Sequence, residues 1–174
     1  MPILPAERDP ALITVRRGGT LTDDDHRLLA LWAVECADHV RPLFEAERPG
    51  DPILRATLDV ARGWVRGDVP MKEAHQQAFR ANAAGKGLAD PARFAALAAG
   101  QAVAVAHVAA HDLGAAAYAI RAAAATAPPA ERDAAGAAER AWQRERIPAH
   151  LRDAVLADQR ARSSICWGVF DDLL

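Results

Sequence analysis

Two histidines in the most apolar part of the chain are the residues whose types and spacing could do chemistry. His107 and His111 lie four positions apart in the run 94–126, and on a continuous helix this spacing places both rings on one side. Two imidazoles so arranged can bind one zinc or other divalent ion, provided that another helix supplies a third ligand. The candidates for that ligand are Glu35, His39, His75 and Asp112.

The same two rings also have an interpretation as packing elements. They share a helical stripe with Gly100, Ala104 and Gly114, where hydrogen bonds across a seam of small residues would satisfy them. The pair also lacks the glutamate of the H-E-x-x-H zinc motif. The sequence therefore favours two structural histidines, with no metal or other cofactor. The alternative is a divalent metal held by His39, His107 and His111.

No other catalytic signature is present in the sequence. Ser163 and Ser164 are the only serines, and neither lies in the G-x-S-x-G pattern of a hydrolase nucleophile. The pair Gly18-Gly19 has neither the spacing nor the lysine of a phosphate-binding loop. We therefore predict no catalytic residue and no cofactor-binding residue.

Composition and charge limit the classes of partner. Alanine makes up about a quarter of the 174 residues, and the net charge is −2, whereas a duplex-binding domain would be basic. Polar residues such as Gln101 and Asp112 interrupt the apolar run, which makes a membrane span improbable. We expect a cytoplasmic protein that binds neither nucleic acid nor membrane.

Capping residues and prolines divide the chain into helices. Thr22 and the pairs Asp51-Pro52 and Asp90-Pro91 are helix starts, whereas Pro42 should kink or end the first helix. One helix over the whole central run would be about 50 Å long, so we predict a break at residues 111–114. The sequence predicts an N-terminal arm over residues 1–20 and a single all-α domain over residues 21–174. This domain should be a bundle of about seven helices around a buried, alanine-rich central helix.

Five stretches of the chain resemble the bacterial putative immunity protein family of polymorphic toxin systems. They are residues 12–21 (LITVRRGGTL), 26–45 (HRLLALWAVECADHVRPLFE), 61–68 (ARGWVRGD), 100–118 (GQAVAVAHVAAHDLGAAAY) and 139–148 (ERAWQRERIP). The resemblance implies an all-helical protein that binds and neutralises a cognate toxin protein without a cofactor or catalysis.

A second resemblance carries the metal hypothesis. A histidine on one helix followed by an H-x-x-x-H pair on a later helix resembles the DinB-like metal-dependent enzymes, and His39, His107 and His111 match that order. The resemblance implies a divalent metal with open positions for water, which would become the nucleophile.

The apolar C-terminal tail and two acidic clusters are the remaining surface features. Residues 165–174 are too apolar for full exposure, so the tail should pack on the bundle or bury itself in a homodimer. The clusters 23–25 and 171–172 could steer the protein towards a basic toxin. We interpret them primarily as helix-capping acids and a solvated tail.

Overall fold

A computed structural model describes residues 8–172, so the predicted arm residues 1–7 and tail residues 173–174 lie outside the described part. Within residues 8–172 the chain forms seven α-helices and no β-strand, which confirms the all-α prediction. The helices are α1 (Asp23–Glu47), α2 (Ile53–Arg66), α3 (Met71–Ala84), α4 (Ala92–Ala104), α5 (His111–Ala125), α6 (Arg132–Glu145) and α7 (Arg152–Arg162).

The longest helix, α1, begins as the sequence predicts but does not end at its proline. The hydroxyl of Thr22 accepts a hydrogen bond from the amide of Asp25 at 3.1 Å, which caps the first turn. The predicted end at Pro42 is wrong, because α1 continues through the proline to Glu47. The ion pair from Arg41 to Glu45 spans the proline, and the buried side chain of Phe44 holds the last turns on the core.

The centre of the bundle is formed by α4 and α5, whose buried residues are mostly alanines. The central run breaks at residues 105–110, earlier than the predicted 111–114, so His107 lies in a connection and His111 begins α5. The prediction that both histidines share one helix is therefore wrong. The connection keeps short-range hydrogen bonds, such as the 2.9 Å bond from the amide of His107 to the oxygen of Ala104.

Two side chains from distant helices stabilise this break. The Nε2 atom of His26 lies 2.6 Å from the oxygen of Val105, and an Nη atom of Arg162 donates to the oxygen of Ala110 at 2.9 Å. In a longer helix, these carbonyl groups would accept hydrogen bonds from amides of the same helix. Here they accept hydrogen bonds from side chains on α1 and α7 instead. Since an unpaired buried carbonyl is costly, these two bonds explain why the helix stops here.

The predicted small-residue seam lies between α4 and its neighbours. A methyl group at Gly100 would stand 2.2 Å from the Asn82 oxygen on α3, and one at Gly114 would stand 2.5 Å from the Gln101 oxygen on α4. Both distances are far below van der Waals contact. The absence of a side chain at these glycines therefore leaves room for the amide groups of Asn82 and Gln101 between the helices.

A buried polar cluster lies between the first turn of α5 and α7. Arg162 on α7 is 1% exposed and pairs with Asp158 at 3.0 Å. Asp112 in the first turn of α5 is also buried, and its Oδ1 accepts a hydrogen bond from the amide of Leu113 at 2.6 Å. Burial raises the pKa of the Asp112 carboxyl to about 7, although Arg162 opposes the shift.

The C-terminal tail packs on the bundle in part. Cys166 and Phe170 are buried, whereas Ile165 and Trp167 are 37% and 54% exposed. The guanidinium of Arg121 lies 4.1 Å from the ring centre of Trp167, a distance typical of a cation–π contact. None of the helices found in residues 8–172 combines the length and the apolar character needed to cross a membrane.

Candidate functional site

A cleft of about 380 Å³ lies where the arm, the N-terminal end of α1 and two interhelical connections meet. One connection joins α2 to α3, and the other is the break between α4 and α5. The lining residues come from all of these segments: Thr14, Arg16, Arg17, Asp23, His26, Arg27, Trp64, Gly67, Val69, Pro70, Met71, Ala106 and His107. Exposed side chains such as Arg16, Arg17 and Met71 form part of the lining, so a protruding group of another molecule can enter the cleft.

His26 forms a fixed part of the cleft wall. Its Nε2 atom donates the 2.6 Å hydrogen bond to the oxygen of Val105, because a carbonyl can only accept. Its ring also meets the ring of Trp64 edge to face at 5.0 Å, a favourable aromatic geometry. Burial lowers the pKa of His26, so the ring is neutral near pH 7 and Nδ1 is left as its acceptor.

The charged residues that line the cleft are three arginines and one aspartate. Arg16 pairs with Asp23 at 2.8 Å, and Arg27 pairs with Asp24 at 3.1 Å. Arg17 has no ion-pair partner within residues 8–172. The arginines therefore outnumber the aspartate in the lining, on a chain whose net charge is −2.

These ion pairs also give a role to the predicted acidic cluster 23–25. Asp23 and Asp24 form ion pairs with Arg16 and Arg27. The Oδ1 atom of Asp25 lies 2.6 Å from the Nε2 atom of His150. The hydrogen bond from His150 lowers the pKa of Asp25. The cluster therefore lies in the first turn of α1, which Thr22 caps, and its carboxylates pair with basic side chains, a role that the sequence interpretation did not include.

A row of aromatic rings leads from the cleft along α3. His107 in the cleft stacks on His75 at 4.5 Å between ring centres, and His75 meets Phe79 at 5.2 Å. Phe79 is 63% exposed and Met71, which lines the cleft, is 44% exposed. An exposed apolar surface thus adjoins the cationic cleft.

The three histidines of the metal hypothesis lie in separate settings. The Nδ1 atom of His39 lies 2.7 Å from Glu139 on α6, and its ring stacks on Trp142. The Nδ1 atom of His111 lies 2.8 Å from the oxygen of Gln101, whereas His107 faces the cleft. In the described part of the chain, no three His, Cys, Asp or Glu side chains form a group that could hold a metal ion. The arrangement thus does not favour the DinB-like alternative.

The comparison with protein families decides the assignment. A family model described as Imm-5 like putative immunity protein matches residues 19–150, about three quarters of the chain. The chain belongs to this family. No curated protein and no solved structure shows significant similarity to it.

The stretches that resemble immunity proteins converge on the cleft. Four of the five contribute to its lining: residues 12–21 through Arg16 and Arg17, residues 26–45 through His26, residues 61–68 through Trp64, and residues 100–118 through His107. The family match begins at residue 19, so it covers the wall of the cleft but not the two arginines of the arm. The cleft is the candidate functional site of this immunity-family protein.

Sequence reasoning found only part of this site. It singled out His107, but as a metal ligand or packing element, and it gave no binding role to Arg16, Arg17 or Trp64. The available signal was the pair Arg16-Arg17 directly before Gly18-Gly19, a basic dipeptide at a turn. Gly18 has a φ of 88°, which glycine adopts at little cost. This turn returns the chain towards α1 and holds the two arginines at the cleft.

Proposed function

We propose that the protein is an immunity protein that binds a cognate toxin and neutralises it without catalysis. The observation that carries the proposal is the family match over residues 19–150. Under this proposal no residue has a catalytic role and no cofactor takes part. Neutralisation takes place in the cytoplasm, where the partner is a toxin protein rather than nucleic acid or membrane.

The architecture supports a binding role. The core around α4 and α5 is fully buried and rich in alanine, so the bundle presents a fixed surface. A preformed surface loses little conformational entropy when a partner docks. An inhibitor of this kind works by covering the active face of the toxin, and tight binding needs a well-packed contact with a few anchoring residues.

The test begins with the genes that lie beside this one. Each neighbouring toxin candidate is expressed in a bacterial host with and without this protein, and growth is measured. We expect growth to be restored for one candidate, and the two purified proteins to co-elute as a stoichiometric complex. The control is an unrelated toxin with a different target, which should still kill. Failure to protect against every neighbouring candidate would contradict the proposal.

A further inference from the structure

We infer that the cleft is the toxin-contacting site and that it receives an acidic segment of the toxin, with apolar residues of the toxin packing on Met71 and Phe79. This inference rests on the proposed function and names the part of the partner that is recognised. It follows from the charge of the cleft, the fixed position of its wall and the apolar surface beside it.

The positive charge of the cleft indicates that the group which binds there is negatively charged. Three arginines and a single aspartate line it. Two of these arginines, Arg16 and Arg27, already have aspartate partners, and the third is Arg17. Arg17 is exposed and has no ion-pair partner within residues 8–172, so its guanidinium is free to receive a carboxylate. Arginine binds carboxylates through two parallel hydrogen bonds, which gives orientation as well as attraction. An aspartate or glutamate side chain is therefore the complementary group.

The wall of the cleft is held in place before any partner arrives. The His26 to Val105 hydrogen bond ties α1 to the connection between α4 and α5, and the edge of Trp64 packs against the same ring. Groups that are already positioned lose less entropy when they bind a ligand.

The apolar surface beside the cleft indicates a protein partner rather than a small anion. Met71 and Phe79 are 44% and 63% exposed, and they are two of the six large apolar side chains exposed in residues 8–172. Met71 lines the cleft, and Phe79 reaches it through His75 and His107. Aromatic residues, methionine and arginine are the types enriched in protein interfaces.

The principal experiment compares two charge reversals in the full-length protein. Arg17→Glu changes the cleft, whereas Arg48→Glu makes the same change just beyond the other end of α1. A 25-residue helix is about 37 Å long, so the control lies far from the cleft. With the neutralised toxin from the growth assay, calorimetry should show at least about a tenfold loss of affinity for Arg17→Glu and none for Arg48→Glu.

A second measurement probes the cleft without any toxin. The protein is titrated with a blocked hexaglutamate peptide, and the indole resonance of Trp64, assigned with Trp64→Phe, is followed by NMR. We expect this resonance to shift with hexaglutamate but not with hexalysine. The shift should be lost at high salt, since screening weakens such contacts. It should be absent in Arg17→Glu and retained in Arg48→Glu.

The outcomes distinguish a failure of the cleft inference from a failure of the proposed function. Protection by the wild type together with undiminished affinity of Arg17→Glu would overturn the cleft inference and leave the proposed function intact. A hexaglutamate-dependent shift of Trp64 without neutralisation of any toxin would overturn the proposed function and support the acidic ligand. The absence of both responses would overturn both.

Discussion

The Nε2 atom of His26 lies 2.6 Å from the main-chain oxygen of Val105, a residue 79 positions away in the sequence. This bond joins the start of α1 to the point where α4 ends, and the same imidazole forms part of the cleft wall. One side chain thus contributes both to the break in the central run and to the shape of the candidate binding site.

Removal of this bond should lower stability. His26→Ala leaves a buried carbonyl without its partner, which costs about 1–3 kcal/mol, and urea unfolding measures the change. His150→Ala is the matched control, because His150 is exposed and its pair with Asp25 is at the surface, where such pairs contribute less than about 1 kcal/mol. Equal losses in the two variants would contradict a structural role for the His26 bond.

Asp112 should make stability fall as the pH rises through the weakly acidic range. Burial raises the pKa of its carboxyl from 3.8 to about 7. Between about pH 4 and pH 7 the folded protein therefore holds a proton that the unfolded chain has released, so this residue's contribution to stability declines with increasing pH.

The variant Asp112→Asn removes that contribution. Its free energy of unfolding relative to the wild type should increase between pH 4.5 and pH 7.5 by roughly 3 kcal/mol, as measured by urea unfolding at intervals of one pH unit. Asp153→Asn, at an exposed position on α7, should show no such trend. A difference between Asp112→Asn and wild type that stays constant with pH would rule out this assignment.

Arg162 should be one of the most sensitive positions in the protein. Arg162→Met removes the partner of the buried Asp158 and of the Ala110 oxygen, and breaking a buried ion pair costs about 3–5 kcal/mol. Thermal and urea unfolding measure the loss, with Arg160→Met on the exposed side of α7 as the control. Adding Asp158→Ala to Arg162→Met should recover part of the stability, and no recovery would argue against the ion pair as the cause.

The metal hypothesis makes a separate prediction that metal analysis can check. Because His39, His107 and His111 lie in separate settings, we expect protein purified without an affinity tag to contain no stoichiometric divalent metal. His107→Ala should then have the same metal content as the wild type. A chelator should change the free energy of unfolding of neither protein. A tightly bound ion that disappears in this variant would instead support the DinB-like alternative.

A homodimer, if the chain forms one as the sequence suggests, should use the C-terminal tail. Ile165 and Trp167 remain exposed on it, and large exposed apolar groups favour self-association. We expect sedimentation to show a concentration-dependent dimer for the wild type and a monomer for Trp167→Ala. Phe79→Ala, which alters an exposed aromatic residue elsewhere, should dimerise like the wild type. A wild type that remains monomeric would refute the prediction.

The sequence predicts the helices well where their signals are local. Thr22 caps α1, and the side chain of Asp51 accepts a hydrogen bond from the amide of Ile53 at the start of α2. These signals depend on residues two or three positions apart, which a sequence displays directly. The number of helices and the all-α class follow from such signals together with the abundance of alanine.

The break in the central run and the cleft depend on contacts that no local pattern contains. The carbonyls at Val105 and Ala110 receive hydrogen bonds from His26 and Arg162, so the end of α4 is fixed by helices far away in the sequence. The same is true of the site, because Arg17, Trp64 and His107 meet only after the bundle has formed. Sequence reasoning could identify the histidine but not its neighbours.

The alanine interior of α4 and α5 limits how this protein can change. A buried methyl group can be reduced only to glycine, and most enlargements would overpack helices that already lie close together. Substitutions are therefore easiest at exposed positions of the arm and of the connection between α2 and α3, which line the cleft. Under the proposed function, exchange of a few exposed residues around the cleft would adapt the protein to an altered toxin while the buried core stays the same.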